Sequence, residues 1–191
     1  MRIVAGEFRG RKIEAPHGDT TRPTIDRVRE AVFSSVASIA GQDLGGGAVL
    51  DAFAGSGALG LEALSRGCSR AVFAEDDRVA LATIKANIAA LGAEDSTHVI
   101  AGDVFGAAGA GRIHGGPFTL LMLDPPYRLD PVKVVGFISD LATNDLLTDG
   151  AIVVWEHINR VEPAWPARFE LEKRKRYGKT EVDIAVFERG V

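Results

Sequence analysis

Apolar positions along the chain alternate between short continuous runs and stretches with helical spacing. Short apolar runs bounded by turn residues are typical of buried strands, whereas apolar residues three and four positions apart indicate one face of a helix. Seven strands are predicted, at or near residues 48–51, 71–74, 97–101, 118–123, 151–155, 169–175 and 182–187. Helices are predicted near residues 24–39, 58–66, 78–91 and 132–141, and a flexible surface loop at 106–116. This alternation of strands and helices predicts an α/β fold.

Two segments without periodicity divide the chain into a short N-terminal part and a main domain. A β-hairpin is predicted around residues 2–14, and the polar connection Pro16–Thr20 separates it from a helix that Thr24 would cap. The glycine-rich segment Gly41–Gly47 follows this helix. The sequence therefore predicts an N-terminal hairpin-and-helix extension and a main domain, with the boundaries 1–40 and 41–191.

The charges are distributed unevenly along the 191 residues, although the formal net charge is only −4. Residues 1–30 carry seven basic and five acidic side chains, and residues 156–180 carry seven basic and four acidic ones. Residues 41–150 carry seven basic and fourteen acidic side chains. Basic flanks around an acidic centre favour a nucleic acid whose phosphates are held at the two flanks. Charged residues that only keep an edge hairpin or a strand end solvated are the alternative.

Other broad classes fit the composition less well. No apolar run approaches the ~18 residues of a membrane span, and no apolar segment follows Arg2 as in a signal peptide. The single cysteine, Cys68, cannot form an internal disulfide, which agrees with a reducing cytoplasm. The four histidines lack the spacing of a zinc site, so no metal is predicted.

The segment Asp124-Pro125-Pro126-Tyr127 follows directly on the apolar run of the fourth strand. Two consecutive prolines cannot continue a strand or donate main-chain hydrogen bonds, so the chain leaves the sheet with carbonyls free to accept. Asp124 and the Pro125 carbonyl are predicted to accept from the amino group of a nucleobase, while Tyr127 stacks on a flipped-out base. The four residues are therefore the predicted catalytic residues for methyl transfer to an exocyclic nitrogen, although Asp-Pro-Pro is also an ordinary strand ending.

A glycine turn follows the first strand. Gly55, Gly57 and Gly60 have the spacing of a nucleotide-binding turn between a strand and a helix. The next strand ends at Glu75, the position from which an acidic side chain binds the hydroxyls of a ribose. The alternative for Glu75 is membership of an exposed acidic cluster that opens a helix and is stabilised by the helix dipole.

Two ligands compete for this unit, a dinucleotide and S-adenosylmethionine. Asp51 lies four residues before Gly55, where its charge would oppose a pyrophosphate but tolerate a sulfonium cation. Asp103 follows the third strand and is predicted to accept from an adenine amino group. S-adenosylmethionine is therefore the predicted cofactor, with a binding site made of Asp51, Phe53, Gly55, Gly57, Glu75, Asp76, Asp103 and Val104.

In these motifs the chain resembles the class I S-adenosylmethionine-dependent methyltransferases, and within them the RsmD-type enzymes that methylate the N2 amino group of a guanine in 16S ribosomal RNA. Arg2–Lys12 and Arg22–Phe33 are similar to that family's N-terminal signatures, and Tyr177–Thr180 to the turn before its last strand. The resemblance covers almost the whole chain. It implies a Rossmann-like, mostly parallel seven-stranded sheet with an antiparallel C-terminal hairpin and a small N-terminal appendage.

The resemblance also implies a partner and a setting. We expect a cytoplasmic monomer that methylates 16S rRNA in a partly assembled small ribosomal subunit, with no membrane partner. The RNA-binding residues predicted from the two basic flanks and from the family signatures are Arg2, Arg9, Arg11, Lys12, Arg22, Arg27, Lys173, Arg174, Lys175 and Arg176.

Three other functions remain open at the level of sequence. An adenine-N6 methyltransferase acting on RNA or DNA would use the same loop, because any exocyclic amine could sit against Asp124. A non-catalytic RNA-binding assembly factor could retain the cofactor fold without turnover. A nicotinamide-dependent dehydrogenase would share the glycine turn but would be stabilised by NAD rather than by S-adenosylmethionine.

Overall fold

The computed structural model describes residues 1–15, 23–41 and 44–190. Arg22 and the connection Pro16–Thr20 lie outside the described residues, as does the side chain of Thr24. The helices are α1 (Pro23–Ile39), α2 (Ala58–Ser65), α3 (Arg78–Leu91), α4 (Val104–Gly109) and α5 (Pro131–Thr143), with a short 3₁₀ turn at Glu94–Ser96. The strands are β1 (Ala48–Asp51), β2 (Arg70–Glu75), β3 (Thr97–Ala101), β4 (Phe118–Leu123), β5 (Leu147–Ile158), β6 (Phe169–Tyr177) and β7 (Thr180–Phe187).

The seven strands form one sheet in the order β3-β2-β1-β4-β5-β7-β6. The first five strands pair in parallel, whereas β7 pairs antiparallel with both β5 and β6. This arrangement confirms the predicted mostly parallel α/β sheet with an antiparallel C-terminal hairpin. The strand order reverses between β1 and β4, and in open α/β sheets ligands bind in the crevice beyond the carboxyl ends of the strands at such a point.

Two layers of helix cover the sheet. The side of the sheet that carries Leu120 and Met122 packs against α1, α2 and α3, whereas Leu121 and Leu123 of the same strand pack against α4 and α5. This alternation follows from the two-residue period of a strand, and apolar residues on both faces are expected when helices cover both sides. The two apolar faces of the central strands β1, β2, β4 and β5 therefore hold the ends of these strands in place below the site.

The ends of the predicted helices are set by identifiable caps. Asp77 accepts hydrogen bonds from the Val79 and Ala80 N–H groups at 2.9 Å and starts α3, and Gly92 ends it with φ of 67°. Asp130 accepts from the Val132 N–H and precedes the proline that opens α5. Such caps satisfy backbone groups that have no partner within the helix, so the predicted bounds of α3 are confirmed.

The predicted flexible loop at residues 106–116 is wrong in its first part. Asp103 accepts hydrogen bonds from the Phe105 and Gly106 N–H groups and caps α4, which extends to Gly109. Further on, Ile113 is buried against the core. The glycines of the segment suggested a loop, but the cap and the buried apolar side chains fix its conformation.

The N-terminal extension packs directly on α2. The fully buried carboxylate of Glu62 accepts hydrogen bonds from the Val4 and Ala5 N–H groups at 2.8 and 3.0 Å. Ile3 and Ile13 join the same apolar cluster as the helices of that face. The predicted hairpin is reduced to one isolated bridge between Arg2 and Lys12. The boundary between 40 and 41 stays a prediction, because the extension and the domain share one core.

None of the helices in the described ranges is long and apolar enough to cross a membrane.

Candidate active site

One large cavity, of about 920 Å³, opens at the carboxyl ends of the parallel strands. Its wall contains the acidic side chains that follow β2, β3 and β4, together with the glycine turn after β1. All four predicted catalytic residues and six of the eight predicted cofactor residues line it; Asp51 and Gly57 do not. Residues in the wall that the sequence did not single out include Phe105, Arg128 and Lys133.

The glycine turn between β1 and α2 requires glycine for two different reasons. Gly55 and Gly57 have φ angles of 53° and 78°, a region that side chains with a Cβ rarely adopt. At Gly60 the limit is space, since a Cβ there would lie 2.4 Å from Cε1 of the buried Phe73 on β2. The turn therefore presents its main chain to the cavity while α2 packs closely on the sheet.

Glu75 stands at the end of β2 and holds the glycine turn. Its Oε2 accepts a hydrogen bond from the Gly55 N–H at 2.8 Å, and its Oε1 accepts from the Asp76 and Asp77 N–H groups at 2.9 and 3.0 Å. Asp77, not Glu75, caps the helix that follows. The carboxylate is thus fixed at the cavity wall with one Oε2 lone pair available.

Asp51 lies beneath the cavity rather than in its wall. The residue is 1% exposed; its Oδ2 accepts from the Gly60 N–H at 2.9 Å, while its Oδ1 has no hydrogen-bond partner among the described residues. Burial, with smaller contributions from Asp124 and Glu75, raises the pKa of Asp51 to about 7. Asp51 therefore holds the start of α2 through a hydrogen bond in addition to its electrostatic effect on the site. Its predicted contact with the cofactor stays a prediction.

An aromatic cluster forms the apolar part of the site. The rings of Phe53 and Phe105 lie 5.8 Å apart, and the ring of Phe137 on α5 lies 6.3 and 5.6 Å from them. Phe53 and Phe105 also line the cavity, beside the capping residue Asp103. Tilted and edge-to-face aromatic pairs at such distances are favourable, so this wall of the cavity is both apolar and rigid.

The loop after β4 is built as a rigid turn. Pro125 is buried, and the Pro126 carbonyl accepts a hydrogen bond from the Leu129 N–H at 2.8 Å. No residue in the described part of the chain donates to the Pro125 carbonyl. Tyr127 is 61% exposed, and its hydroxyl shares a 3.0 Å hydrogen bond with the Thr180 hydroxyl at the start of β7. The loop thus offers an acceptor and an exposed ring, fastened to the C-terminal hairpin.

Glu156 is an acidic residue that the sequence did not reveal as part of the site. Leu123 pairs with Trp155 in the parallel β4–β5 ladder, so the next positions, Asp124 just after β4 and Glu156 within β5, are neighbours. Burial, with a further contribution from Asp124, raises the pKa of Glu156 to about 8, although His157 works to lower it. Asp124 therefore has a carboxyl group near it on each side, that of the fully buried Asp51 and that of the half-buried Glu156.

Several of the predicted RNA-binding side chains make contacts within the protein. The Arg11 guanidinium donates to the carbonyls of Ala90 and Leu91 at the end of α3. Further such contacts of basic residues join Arg2 to the Gly10 carbonyl, Lys175 to the Ser35 hydroxyl, and Arg176 to the Gly178 carbonyl. Arg9, Lys12 and Arg27 are exposed, and Lys173 is half-buried. Their contacts with RNA stay predictions.

Arg174 makes an internal ion pair with a fully buried carboxylate. Its Nε and Nη2 donate to the two oxygens of Asp183 at 2.6 and 2.7 Å, and the Trp165 Nε1 donates to the same group at 3.2 Å. His157 Nε2 lies 3.4 Å away. Although burial acts in the opposite direction, these partners hold the pKa of Asp183 well below its usual range. A phosphate would therefore compete with Asp183 for Arg174.

No cluster of three or more histidine, cysteine or acidic side chains suited to a metal ion occurs within residues 1–15, 23–41 and 44–190. Cys68 is a buried free thiol, and burial raises its pKa to about 11. A thiol in that state is a poor nucleophile at neutral pH.

The comparisons with known proteins show the family of the chain. The family model described as conserved hypothetical protein 95 matches residues 1–186. The ribosomal RNA small subunit methyltransferase D of Escherichia coli K12 is 35% identical over 180 residues, which cover 94% of this chain and 86% of that protein.

Two solved methyltransferase structures superpose on this chain. The yhhF protein of Escherichia coli superposes with a TM-score of 0.81 at 35% identity and covers 100% of this chain and 99% of its own. The rRNA methyltransferase aviRa of Streptomyces viridochromogenes shares the fold at 17% identity, with a TM-score of 0.67 over 91% of this chain and 88% of its own. The chain therefore belongs to the conserved hypothetical protein 95 family, that of the RsmD-type methyltransferases with the class I fold.

Proposed function

We propose that this protein transfers a methyl group from S-adenosylmethionine to the exocyclic N2 of a guanine in 16S rRNA during assembly of the small ribosomal subunit. The observation that carries the proposal is the position of Asp124 and the Pro125 carbonyl in the wall of an acid-lined cavity beside a glycine turn. The name of the Escherichia coli relative supports rRNA as the substrate. The choice of guanine N2 is supported by the family resemblance.

The residues of the cavity fit a sulfonium cofactor. Glu75, Asp76 and Asp103 give its β2–β3 side a negative potential, and Asp51 beneath it adds to that potential when ionised. This potential favours a cation and opposes the pyrophosphate of a dinucleotide, which argues against the nicotinamide alternative. The remaining lone pair on Glu75 suits a ribose hydroxyl, and the rings of Phe53 and Phe105 suit the face of an adenine.

When bound, the cofactor supplies an electrophilic methyl group; the protein supplies position and acceptors. Asp124 accepts from the target amino group, and the Pro125 carbonyl is available for its second hydrogen. Hydrogen bonds to both hydrogens of the amino group localise the nitrogen lone pair, which is otherwise delocalised into the base. Tyr127 offers an exposed ring for stacking of the flipped base, a contact worth about 1–3 kcal/mol.

Asp124 is also the residue placed to take the proton that the amine loses. Burial, with a smaller like-charge contribution from Asp124, favours a proton on Asp51 and Glu156, whereas Asp124 is the exposed member of this row. An ionised carboxylate accepts hydrogen bonds only, which suits an amino group. The proton then passes to water, since Asp124 lies at the exposed mouth of the site.

The setting follows from the same proposal. A guanine in 16S rRNA is reached while the subunit is partly assembled, and the cytoplasm is where that assembly occurs, so we propose that the protein acts there as a monomer. The exposed basic residues of the N-terminal extension, Arg9 and Lys12, and Lys173 on β6 are then available to RNA phosphates.

The test compares Asp124→Ala with a matched control, Asp95→Ala, which removes an exposed acid far from the cavity wall. Methylated nucleosides in 16S rRNA from cells complemented with each variant are measured by mass spectrometry, and cofactor affinity by calorimetry. We expect Asp124→Ala to lower the methylation rate by about 10²-fold or more while cofactor affinity stays near that of the wild type. The control should behave as wild type.

The same measurements separate the alternatives. Methylated adenine in place of N2-methylguanine would establish the adenine-N6 reaction. If RNA binding, measured in addition, survives Asp124→Ala and none of the proteins gives a methylated product, the protein is a non-catalytic assembly factor. Full methylation by Asp124→Ala would refute the catalytic role of Asp124.

A further inference from the structure

The cavity wall is divided by charge. Its β2–β3 side carries the acids Glu75, Asp76 and Asp103, whereas the loop after β4 and the first turn of α5 add the cations Arg128 and Lys133. A cationic cofactor is attracted by the acidic side and repelled by the cations. The two basic residues therefore suit a second, anionic ligand that enters the same cavity.

The two cations are displayed on a rigid frame. Pro125-Pro126 and the 2.8 Å hydrogen bond from the Leu129 N–H to the Pro126 carbonyl fix the turn that carries Arg128. The Lys133 N–H donates to the Asp130 carbonyl at 3.0 Å, which fixes the start of α5. A charge on a rigid frame loses less entropy when it binds than one on a mobile loop.

The side chains of Arg128 and Lys133 bind no other group within the part of the chain that the structure describes. Both are exposed, and neither has an ion pair or a side-chain hydrogen bond there. The nearby acid Asp130 is committed, because its carboxylate accepts from the Val132 N–H and caps α5. Arg11 and Arg174, by contrast, are held by groups of the protein itself.

Exposed apolar surface lies next to the two cations. Tyr127 is 61% exposed and immediately precedes Arg128, and Val132 is 73% exposed and immediately precedes Lys133. An exposed ring interleaved with basic side chains is the arrangement that binds single-stranded nucleic acid, with the base on the ring and the backbone on the cations.

We propose that Arg128 and Lys133 form a phosphate-binding subsite for the RNA strand that carries the target base, at the mouth of the catalytic cavity. This inference rests on the proposed function and names two RNA contacts outside the basic flanks. The flanks hold more distant parts of the RNA, whereas this subsite holds the phosphates nearest to the base that stacks on Tyr127. Phosphate contacts fix register without reading sequence, so the subsite positions the base.

The test uses the full-length protein with Arg128→Gln/Lys133→Gln, and a matched control with Lys85→Gln/Arg112→Gln. The control removes the same charge from exposed residues that do not line the cavity. Binding of a fluorescent single-stranded RNA 12-mer containing guanine is measured by anisotropy between ~50 and ~300 mM KCl. Two lost phosphate contacts should reduce the slope of log K against log [KCl] by about 1.4, at about 0.7 per contact on single strands.

Two further measurements isolate the role of the subsite. Cofactor affinity by calorimetry should match wild type in both variants, since Arg128 and Lys133 lie away from the acidic side. In methylation assays on 16S rRNA, the test variant should raise KM with little change in kcat. A salt slope equal to that of the control would overturn the inference.

The two proposals fail in different ways. If wild type shows the expected salt slope, and loses it in the test variant, but yields no methylated guanine, the proposed reaction is wrong and the subsite stands. If wild type methylates rRNA but the test variant has an unaltered slope and KM, the subsite is wrong and the reaction stands.

Discussion

The contact between Gly60 and Phe73 provides a sharp test of how the glycine turn is built. Gly60 lies in α2, and its N–H donates to Asp51 at 2.9 Å. A Cβ at this position would lie 2.4, 3.0 and 3.1 Å from three carbons of the Phe73 ring. Phe73 is fully buried on β2 and has no room to retreat. Gly60→Ala must therefore push α2 and the sheet apart.

The expected magnitude follows from two opposing contributions. Overpacking of a dense core costs about 1–3 kcal/mol, while alanine is favoured over glycine within a helix by about 1 kcal/mol. The matched control is Gly136→Ala in α5, where an added Cβ meets no atom within 4 Å. That control should gain about 1 kcal/mol of stability from helix propensity alone. The two variants should therefore differ by about 1–3 kcal/mol.

Calorimetric Tm values measure this difference, at about 2–4 °C per kcal/mol for a chain of this size. A second arm adds Phe73→Leu, which removes part of the ring and should abolish most of the cost of Gly60→Ala. The double-mutant cycle then gives a coupling energy above about 0.5 kcal/mol. If Gly60→Ala is as stable as Gly136→Ala, close helix–sheet packing is not the reason for glycine at position 60.

Three further perturbations address the carboxyl groups and the loop. The free energy of unfolding of the wild type should fall as the pH rises from about 4.3 to 8, because folded Glu156 keeps a proton that the unfolded chain has lost. In urea titrations at several pH values, Glu156→Gln should show a smaller fall. An equal dependence on pH in the two proteins would contradict the raised pKa. Tyr127→Phe and Thr180→Val should each lower the free energy of unfolding by less than about 1 kcal/mol, and the double variant should lose no more than either single variant. Additive losses would show that the two hydroxyls are not hydrogen-bond partners. Arg174→Ala should cost up to about 3 kcal/mol, because it leaves the buried Asp183 carboxylate with only Trp165 and His157 as partners, and an unchanged Tm would refute that dependence.

Much of the fold was predictable because its signals are local. The bounds of α3 follow from Asp77 and Gly92, a side-chain cap and a left-handed residue that enclose the 14 residues of the helix. The apolar runs locate β1, β2, β4 and β5 because both faces of these strands are buried. The short helix α4 escaped prediction, since its glycines outweighed the capping role of Asp103.

The sequence predicts those residues of the site that lie at the carboxyl ends of strands. Asp124 and Glu75 lie in the cavity wall because carboxyl ends of parallel strands meet at one edge. Glu156 was missed for a physical reason: its proximity to Asp124 depends on the β4–β5 register, which no local pattern contains. The basic runs were ambiguous for a similar reason. Only the structure shows that Arg174 is paired with Asp183.

The same sheet holds acids in two opposite states, and the contrast separates structure from function. Asp183 is buried with Arg174, His157 and Trp165 as partners, so its pKa is lowered and its charge belongs to the fold. Asp51, which is buried, and Glu156, which is half-buried, lie beside Asp124 and have raised pKa values of about 7 and 8. Carboxyl groups arranged in this way oppose one another and reduce the stability of the sheet edge at high pH. Acids held at such a cost, next to a cavity whose wall carries Glu75, Asp103 and Asp124, are expected where a cation must bind.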